Sequence, residues 1–442
     1  MILGLPRFRR IFICVLIAGI APALLSCGGS TKTTTPPSGL KFRAFVSQDV
    51  SSSTSSPGLI IIDAQLDRLA RTGSISAGPS PGLMAVSANR QATLVYSALS
   101  NEVDIVDNAK ESSSLKLALP GFTESLAISS DATIGFAAVP DAPVAGMAPG
   151  AVQVINVGGG ALEAPVPNCP TTPPTPVNCL SGARYIVLSP DNTHLLVFGD
   201  NPNSMVSVKL TNTGTTASPT WTVESTTEIS FPSPQLDHPV WAVFSQDGAS
   251  AYIMNCGPEC GGSTASVTAL RLSDNTAVAS VSIPGGATYG ASFGSTLYVA
   301  GSAPGTACPA GTAATSCGTL TVLNTASGLQ VVKSVRITDG YHNRMAVTAD
   351  NQVFVGARGC TAIITSAEQR GCLSIYNGNN GNVVIGTDQG DVTGIQPVTG
   401  RSEVYVVENG ELRNWSTLTD SLAPSQKQID ILGQAVDVKI VD

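Results

Sequence analysis

A short hairpin pattern that recurs along the chain is the feature that most constrains its fold. Each copy has an apolar strand, a turn of the type Ser/Thr-x-Asp/Asn and a second apolar strand. The copies are MAVSANRQATLVYSA from Met84, LAISSDATIGFAAV from Leu126, IVLSPDNTHLLVFG from Ile186, AVFSQDGASAYIMN from Ala242 and MAVTADNQVFVGA from Met345. A third strand and often a weaker fourth follow each hairpin. Four antiparallel strands that recur about every 40 to 60 residues predict an all-β protein, a β-propeller of four-stranded blades.

The repeats predict eight blades, with seven as the close alternative. The predicted inner strands of seven units start near Leu83, Ser125, Tyr185, Val240, Thr288, Arg344 and Thr393. The segment AVDVKIVD from Ala435 has the pattern of an inner strand, and KFRAFVS from Lys41 and LIIIDA from Leu59 have the pattern of the next two strands. We expect these terminal segments to form one blade, because a closed ring leaves no open sheet edge. The units near Thr288 and Thr393 are degenerate, which keeps seven blades open.

Two hairpins point to a known type of repeat. They are ARYIVLSPDNTHLLVFG from Ala183 and HPVWAVFSQDGASAYIMN from His238. Both resemble the YVTN-type β-propeller repeats of bacterial surface and periplasmic proteins, whose unit runs roughly Pro-x-x-Val-Ala-Val-Ser-Pro-Asp-Gly-x-x-Val-Tyr-Val. The resemblance covers nearly all of the chain after its N-terminal segment, and it implies the propeller fold. It implies no single activity, because propellers of this type include lactonase-like enzymes, binding modules and proteins of no known role.

The N-terminal segment has the features of an export signal in the expected order. Arg7, Arg9 and Arg10 precede an apolar run from Ile11 to about Leu25, which is too short to span a bilayer comfortably. The run ends in Leu-Leu-Ser-Cys, which resembles the lipobox of bacterial lipoproteins. This resemblance implies that Cys27 is acylated and becomes the mature N-terminus. The alternative is an ordinary signal peptide followed by a chance cysteine.

These features predict the organisation of the chain and its compartment. We expect a lipoprotein signal peptide over residues 1–26, a flexible tether over 27–39 and a single propeller domain over 40–442. The lipid would hold the protein at the outer membrane, facing the periplasm, or at the cell surface. Without the signal the chain has 20 basic against 31 acidic residues, and this negative charge disfavours nucleic acid as a partner. We expect a monomer without a cofactor.

Eight cysteines remain after the signal and the lipid site are set aside, and they form four local pairs. The pairs are Cys169 with Cys179, Cys256 with Cys260, Cys308 with Cys317 and Cys360 with Cys372. The even count, the local pairing and an oxidising compartment favour disulfides over a zinc site or a thioredoxin-like motif. Three pairs lie between the second and third strands of a unit, and the first lies between two units. Both kinds of connection emerge on one face of a propeller, so we expect the disulfides on a common face.

Five polar residues align at or near the starts of inner strands on that same face. They are Glu124, Arg184, His238, His342 and Arg344. Around one channel mouth they could bind an anionic or lactone-like ligand, with a histidine as general base and an arginine that polarises a carbonyl. The alternative is a channel mouth that is polar only because it is solvated. The sequence has no calcium loop, phosphate loop or nucleophile elbow, and we expect no metal site.

Two functions remain open from the sequence. The first is a lipid-anchored scaffold that binds a protein, peptide or glycan through the disulfide-bearing face and is not an enzyme. The second is a lactonase-like hydrolase that uses the polar residues at the channel mouth. The absence of a compact catalytic motif and the long loops on one face favour the scaffold.

Overall fold

A computed structural model describes residues 35–49, 58–144, 148–166, 180–232, 235–308, 316–326, 328–364 and 369–442. The predicted signal peptide, Cys27, Cys169 and Cys179 lie outside these residues. Residues Thr35–Asp442 form one compact unit. No helix within the described ranges has the length and apolar character needed to cross a bilayer.

The described strands form eight blade sheets, each built on four antiparallel strands, and one separate two-stranded sheet. We number the blades in chain order and give the strands of each from the inner to the outer one. Blade 1 contains Gln434–Ile440, Arg43–Asp49, Leu59–Asp63 and Arg68–Leu69. Blade 2 contains Pro81–Val86, Ala92–Ser97, Glu102–Asp107 and Ser112–Ala118. Blade 3 contains Ser125–Ile128, Ile134–Val139, Ala151–Asn156 and Ala161–Leu162. Blade 4 contains Tyr185–Leu188, His194–Phe198, Met205–Asn212 and Trp221–Ile229.

The remaining blades follow the same order. Blade 5 contains Pro239–Phe244, Ser250–Asn255, Ser266–Arg271 and Thr276–Ser282. Blade 6 contains Tyr289–Phe293, Thr296–Gly301, Gly318–Asn324 and Gln330–Ile337. Blade 7 contains Tyr341–Val347, Gln352–Arg358, Leu373–Asn377 and Val383–Ile385. Blade 8 contains Val392–Pro397, Glu403–Glu408, Glu411–Ser416 and Ser421–Leu422. Short additions are the strand Gln428–Ile429 on blade 8, the pair Ile363–Ile364 and Gln369–Arg370 in blade 7, and the 3-10 helix Gly257–Cys260.

The ring has eight blades, and it closes as the sequence predicts. The inner strand of blade 1 comes from the C-terminal segment and pairs with the strand Arg43–Asp49. Arg43 reinforces this closure, since its guanidinium donates to Asp442 at 2.5 and 2.8 Å and to Glu111 of blade 2 at 2.9 Å. Each inner strand contacts the inner strands of the two neighbouring blades. The seven-bladed alternative is therefore wrong.

The hydrophobic core is divided among the interfaces between blades. Among the described residues, eight buried apolar clusters occur, and each draws its members from two neighbouring blades. The second strands are covered on both sides, and Ala92–Ser97 and Ile134–Val139 are buried at every position. This burial explains why these strands are continuous apolar runs in the sequence. The packed interfaces hold the eight inner strands around a central channel.

The Ser/Thr-x-Asp/Asn turns join the first and second strands of five blades. In each turn the first hydroxyl donates to the acidic or amide side chain two residues later, at 2.5 to 2.7 Å. The pairs are Ser87 with Asn89, Ser129 with Asp131, Ser189 with Asp191, Ser245 with Asp247, and Thr348 with Asp350. The next residue has a positive φ of 61 to 70° in all five turns. The side-chain bond thus stabilises a tight turn that needs a left-handed residue.

The two faces of the ring differ in their connections. We call the face where the inner strands begin the stapled face; it carries the connections between second and third strands and those between blades. Three predicted disulfides lie on it: Cys256 with Cys260, Cys308 with Cys317, and Cys360 with Cys372. We call the other side the opposite face; it carries the short turns. Disulfides form in oxidising compartments, so these bonds indicate an exported protein.

Candidate functional site

A cavity opens at the centre of the stapled face, where the channel reaches the surface. It has a volume of about 290 Å³ and continues into a deeper cavity of about 170 Å³ between the inner strands. Seven residues line both parts: Leu83, Glu124, Tyr185, Tyr341, Asn343, Arg344 and Asp437. A site of this size suits a small ligand rather than a drug-sized one. We call it the mouth cavity.

Blade 7 supplies much of the polar wall of the mouth cavity because its inner strand is irregular. The register between its first two strands shifts between His342 and Arg344. A bulge of this kind breaks the strict alternation of side chains in a strand. As a result Tyr341, Asn343 and Arg344 all line the cavity, while His342 turns away from it.

His342 is a buried structural residue, and the expectation that it lines the channel is wrong. Its side chain is fully buried, and Nε2 lies 3.1 Å from the carbonyl oxygen of Thr338. The ring lies against Gly318 of blade 6, where a Cβ would come within 2.6 Å of Cε1. Burial lowers the pKa of His342 to about 4. A neutral imidazole enclosed in this way does not meet solvent or a ligand in the channel.

Glu124 does line the mouth cavity, as expected, and it accepts a hydrogen bond from an aromatic hydroxyl. Tyr185 donates to Glu124 Oε2 at 3.4 Å, and Tyr341 interacts in turn with the Tyr185 hydroxyl. Burial raises the pKa of both tyrosines from the usual value. The three side chains form a short polar chain along one wall, and only its Glu124 end carries a negative charge.

Two arginines of blade 7 form the positive part of the same wall. Arg344 donates from Nε to the carbonyl oxygen of Thr393 and from Nη1 to that of Asn343, both at 2.8 Å. Arg358 lies at the end of the second strand, and its partly buried guanidinium has no hydrogen bond or ion pair among the described residues. Burial is the main cause that lowers the pKa of Arg358 from the usual value, and the positive charge of Arg344 lowers it further. The charges of Asp391 and Glu124 partly offset this shift. The cavity therefore contains a guanidinium that has carboxylates in its neighbourhood but no direct hydrogen-bond partner among the described residues.

The facing wall is apolar and belongs to blades 2 and 3. Tyr96 and Phe122 meet edge to face with their ring centroids 5.9 Å apart, and Leu83 and Ala98 lie beside them. Tyr96 is buried and donates to Asn101 at 2.7 Å, whereas Phe122 is 44% exposed. The mouth cavity thus combines a flat apolar surface with a polar, partly cationic one.

Arg184 and His238 lie on the stapled face but do not line the mouth cavity. Arg184 is exposed and forms an ion pair with Asp200 at 2.7 Å. His238 Nδ1 lies 2.8 Å from Asp237 Oδ1 in the connection between blades 4 and 5. Both residues precede an inner strand by one position, which places them on the rim instead of in the channel. The five predicted residues do not converge on one catalytic centre.

The loops of the stapled face are bonded to one another across blade boundaries. Asp339, between blades 6 and 7, accepts from Ser316 Oγ at 2.7 Å and from the backbone and side chain of Thr361 at 2.9 and 2.7 Å. Glu259, inside the Cys256–Cys260 loop, accepts from the Ser302 backbone N–H of blade 6 at 2.6 Å. Burial raises the pKa of Glu259 to about 7.

A similar contact ties the connection before blade 5 to its stapled loop. Asp237 accepts from Ser263 N at 2.8 Å and from Thr264 N at 2.8 Å. Burial raises the pKa of Asp237, but hydrogen bonds from His238, Thr264 and Ser263 outweigh it and lower the pKa to about 2. The disulfides and these charged contacts hold the loops in one arrangement.

The described residues contain no group of three or more His, Cys, Asp or Glu side chains arranged to hold a metal ion. The ionisable side chains that line the mouth cavity are arginines, tyrosines, Glu124, Asp437 and Lys439.

No protein-family model matches the chain, and no curated protein sequence matches it. Solved structures do resemble it. Dihydro-heme d1 dehydrogenase NirN in complex with DHE has a TM-score of 0.59 at 12% identity, over 90% of this chain and 75% of that one. Kuenenia stuttgartiensis hydrazine synthase has a TM-score of 0.53 at 14% identity, over 79% and 99%. A candidate 6-phosphogluconolactonase from Bacteroides fragilis has a TM-score of 0.51 at 13% identity, over 91% and 98%. These likenesses show the fold alone.

Proposed function

We propose that the chain is an exported, lipid-anchored envelope protein that binds a protein, peptide or glycan through its stapled face. The observation that carries this proposal is the preorganisation of that face. Three disulfides close loops on it, and hydrogen bonds link loops of blades 6 and 7 through Asp339. Loops ordered before binding lose less conformational entropy when a partner docks.

The point at which the chain enters the propeller supports this assignment. Ser38 bonds through its backbone N–H and its hydroxyl to Glu111, at 2.7 and 2.5 Å. Glu111 lies between the third and outer strands of blade 2, on the opposite face. A tether that ends there, lipidated at Cys27, would attach the opposite face to the membrane. The stapled face would then point away from the membrane, toward a partner.

The repeat type is part of the same proposal. The five hydrogen-bonded Ser/Thr-x-Asp/Asn turns match the turn of the YVTN-type unit in sequence. We assign the blades to that type on this basis.

Affinity capture from an envelope extract tests the proposal. The immobilised mature domain is used in its oxidised form and after reduction and alkylation of its cysteines. We expect the oxidised domain to retain a specific partner and the reduced domain to retain much less, because the loops lose their order. Prior protease or glycosidase treatment of the extract identifies the class of partner. Equal retention by both forms, or none by either, contradicts the proposal.

A lactone hydrolase is a second candidate, and the presence of both Glu124 and Arg344 in the lining of the mouth cavity is the observation that favours it. In this version of the hydrolase hypothesis, Glu124 instead of a histidine acts as the general base. A candidate 6-phosphogluconolactonase has the same fold, although fold alone does not assign activity. A lactone and ester hydrolysis screen compares wild type with Glu124→Gln, His238→Ala and His342→Ala. Turnover that only Glu124→Gln abolishes supports hydrolysis, and no turnover above background excludes it for the compounds screened.

A further inference from the structure

We infer that the mouth cavity binds a small carboxylate with an aromatic body, held between the blade 7 arginines and the ring of Phe122. This inference deepens the proposed binding function by naming a ligand class for the centre of the stapled face. It rests on that proposal only in treating this face as the binding face.

The first step is the unused hydrogen-bonding capacity of Arg358. Its guanidinium lines the mouth cavity and has no hydrogen bond or ion pair among the described residues. Arg344 lies close enough to disfavour the charge on Arg358 further. Neither guanidinium has a direct ion pair with a carboxylate among the described residues, so an anion that bridges them would offset their mutual repulsion. A carboxylate fits because its two oxygens match the planar donors of arginine.

The second step concerns the negative groups nearby, which limit the kind of anion. Asp391 also favours the charge on Arg358, and it accepts from Gly359 N at 2.8 Å. Asp437 is already satisfied by Met84 N, Val438 N and Lys439 Nζ, at 2.8 to 3.1 Å. Glu124 has one hydrogen bond of 3.4 Å, from Tyr185. Its charge opposes an anion of high charge density, so a single carboxylate is favoured over a phosphate monoester.

The third step is the shape and polarity of the rest of the cavity. Phe122 is 44% exposed and packs edge to face on Tyr96, which leaves one ring surface open to the cavity. A flat aromatic body would cover this surface while its carboxylate reaches the opposite wall. The volume of about 290 Å³ accommodates a single ring with a short side chain. The same chemistry could come from a free acid or from the C-terminal aromatic residue of a peptide.

Isothermal titration calorimetry on the mature, oxidised protein tests the inference. The probes are 3-phenylpropanoate, its neutral amide, and two versions of a short peptide ending in phenylalanine, one with a free carboxylate and one amidated. We expect one molecule of the acid to bind per chain. The matched amide should bind with an affinity at least roughly tenfold weaker than that of the acid. Binding of the free peptide alone would identify a peptide terminus as the source.

Three substitutions identify the groups involved. Arg358→Gln should weaken the affinity for the acid at least roughly tenfold. Arg184→Gln changes an arginine outside the cavity and should change this affinity less than about threefold. Glu124→Gln should strengthen binding of the acid, because it removes a negative charge that repels the carboxylate. Circular dichroism and thermal unfolding check the fold of each variant. If Arg358→Gln fails to fold, the ratio of the wild-type affinities for the acid and the amide tests the inference instead. Equal affinity for acid and amide, no binding of any probe, or equal effects of Arg184→Gln and Arg358→Gln would overturn the inference. Each of these results leaves the envelope capture experiment free to succeed.

Discussion

Glu408 provides a sharp test of the core, because a conservative substitution there should stabilise the protein. Its side chain is 1% exposed at the end of the second strand of blade 8. Trp415 Nε1 donates to one carboxyl oxygen at 3.0 Å, and the other oxygen has no partner among the described residues. Burial raises the pKa of Glu408 to about 8, from an ordinary value of 4.5.

The sign of the pH dependence follows from this shift. Below pH 4.5 the carboxyl is protonated in both the folded and unfolded states, so its titration costs nothing. As the pH rises from 4.5 toward 8, the unfolded state ionises first and becomes favoured. The cost at pH 7 reaches about 3 kcal/mol, at about 1.4 kcal/mol per unit of pKa difference. Glu408→Gln removes this cost and keeps an oxygen that accepts from Trp415.

Urea unfolding of wild type and Glu408→Gln at pH 4.5 and pH 7.5 measures the effect. We expect similar stability at pH 4.5 and a gain of up to about 4 kcal/mol at pH 7.5, or roughly 5 °C in Tm for a domain of this size. Glu411→Gln is the comparison variant, since Glu411 is exposed and lies opposite Glu408. Its charge is the smallest cause of the raised pKa of Glu408, so a much smaller gain is expected. A loss of stability in Glu408→Gln at pH 7.5, or a gain independent of pH, would refute the reasoning.

Three further predictions concern other parts of the ring. As the pH falls from 6.5 toward 4, wild type should lose up to about 3 kcal/mol of stability, because only the unfolded state protonates the imidazole of His342. His342→Gln should remove this loss. Urea unfolding across this range would show no difference between the two proteins if the imidazole were exposed. Replacing both Cys256 and Cys260 by serine should cost about 2 kcal/mol through loop entropy, and an unchanged urea midpoint would contradict this. Deleting Gln434–Asp442 should leave blade 1 without its inner strand and yield aggregates by size-exclusion chromatography; a soluble monomer would contradict ring closure.

The sequence predicts the ring well because each blade repeats one simple pattern. Apolar strands buried on both sides and turns such as Ser189 to Asn192 mark the hairpins, so the starts of the inner strands are found correctly. The blade shared between the termini is also predicted. The segment from Ala435 has the pattern of its inner strand, and the segment from Lys41 has the pattern of its second strand. The units near Thr288 and Thr393 are weaker in sequence but form regular blades.

The mouth cavity is predicted only in part, and local irregularity is the reason. Alignment of the inner strands finds Glu124 and Arg344. It misplaces His342, because a bulge changes which side chains face the channel. Arg358 is missed because it lies on a second strand; the available signal was a charged residue at the end of an otherwise apolar strand.

The apolar wall and the tyrosines were missed for a related reason. Phe122 lies in a connection between blades, where the repeat has no register to align. Tyr185 follows the predicted Arg184 directly, and Tyr341 precedes His342. In both places the aromatic neighbour lines the cavity and the predicted residue does not.

Three substitutions compare the faces of the ring most directly. Leu99 and Leu432 lie on the stapled face and are 77% and 79% exposed, while Leu418 lies on the opposite face and is 78% exposed. Quantitative capture from envelope extract would compare Leu99→Arg and Leu432→Arg with Leu418→Arg, each at equal immobilised protein. If the stapled face binds the partner, at least one of the first two variants loses roughly tenfold or more of the captured partner and Leu418→Arg retains it. Loss in Leu418→Arg alone, or equal capture by all three, would contradict the account.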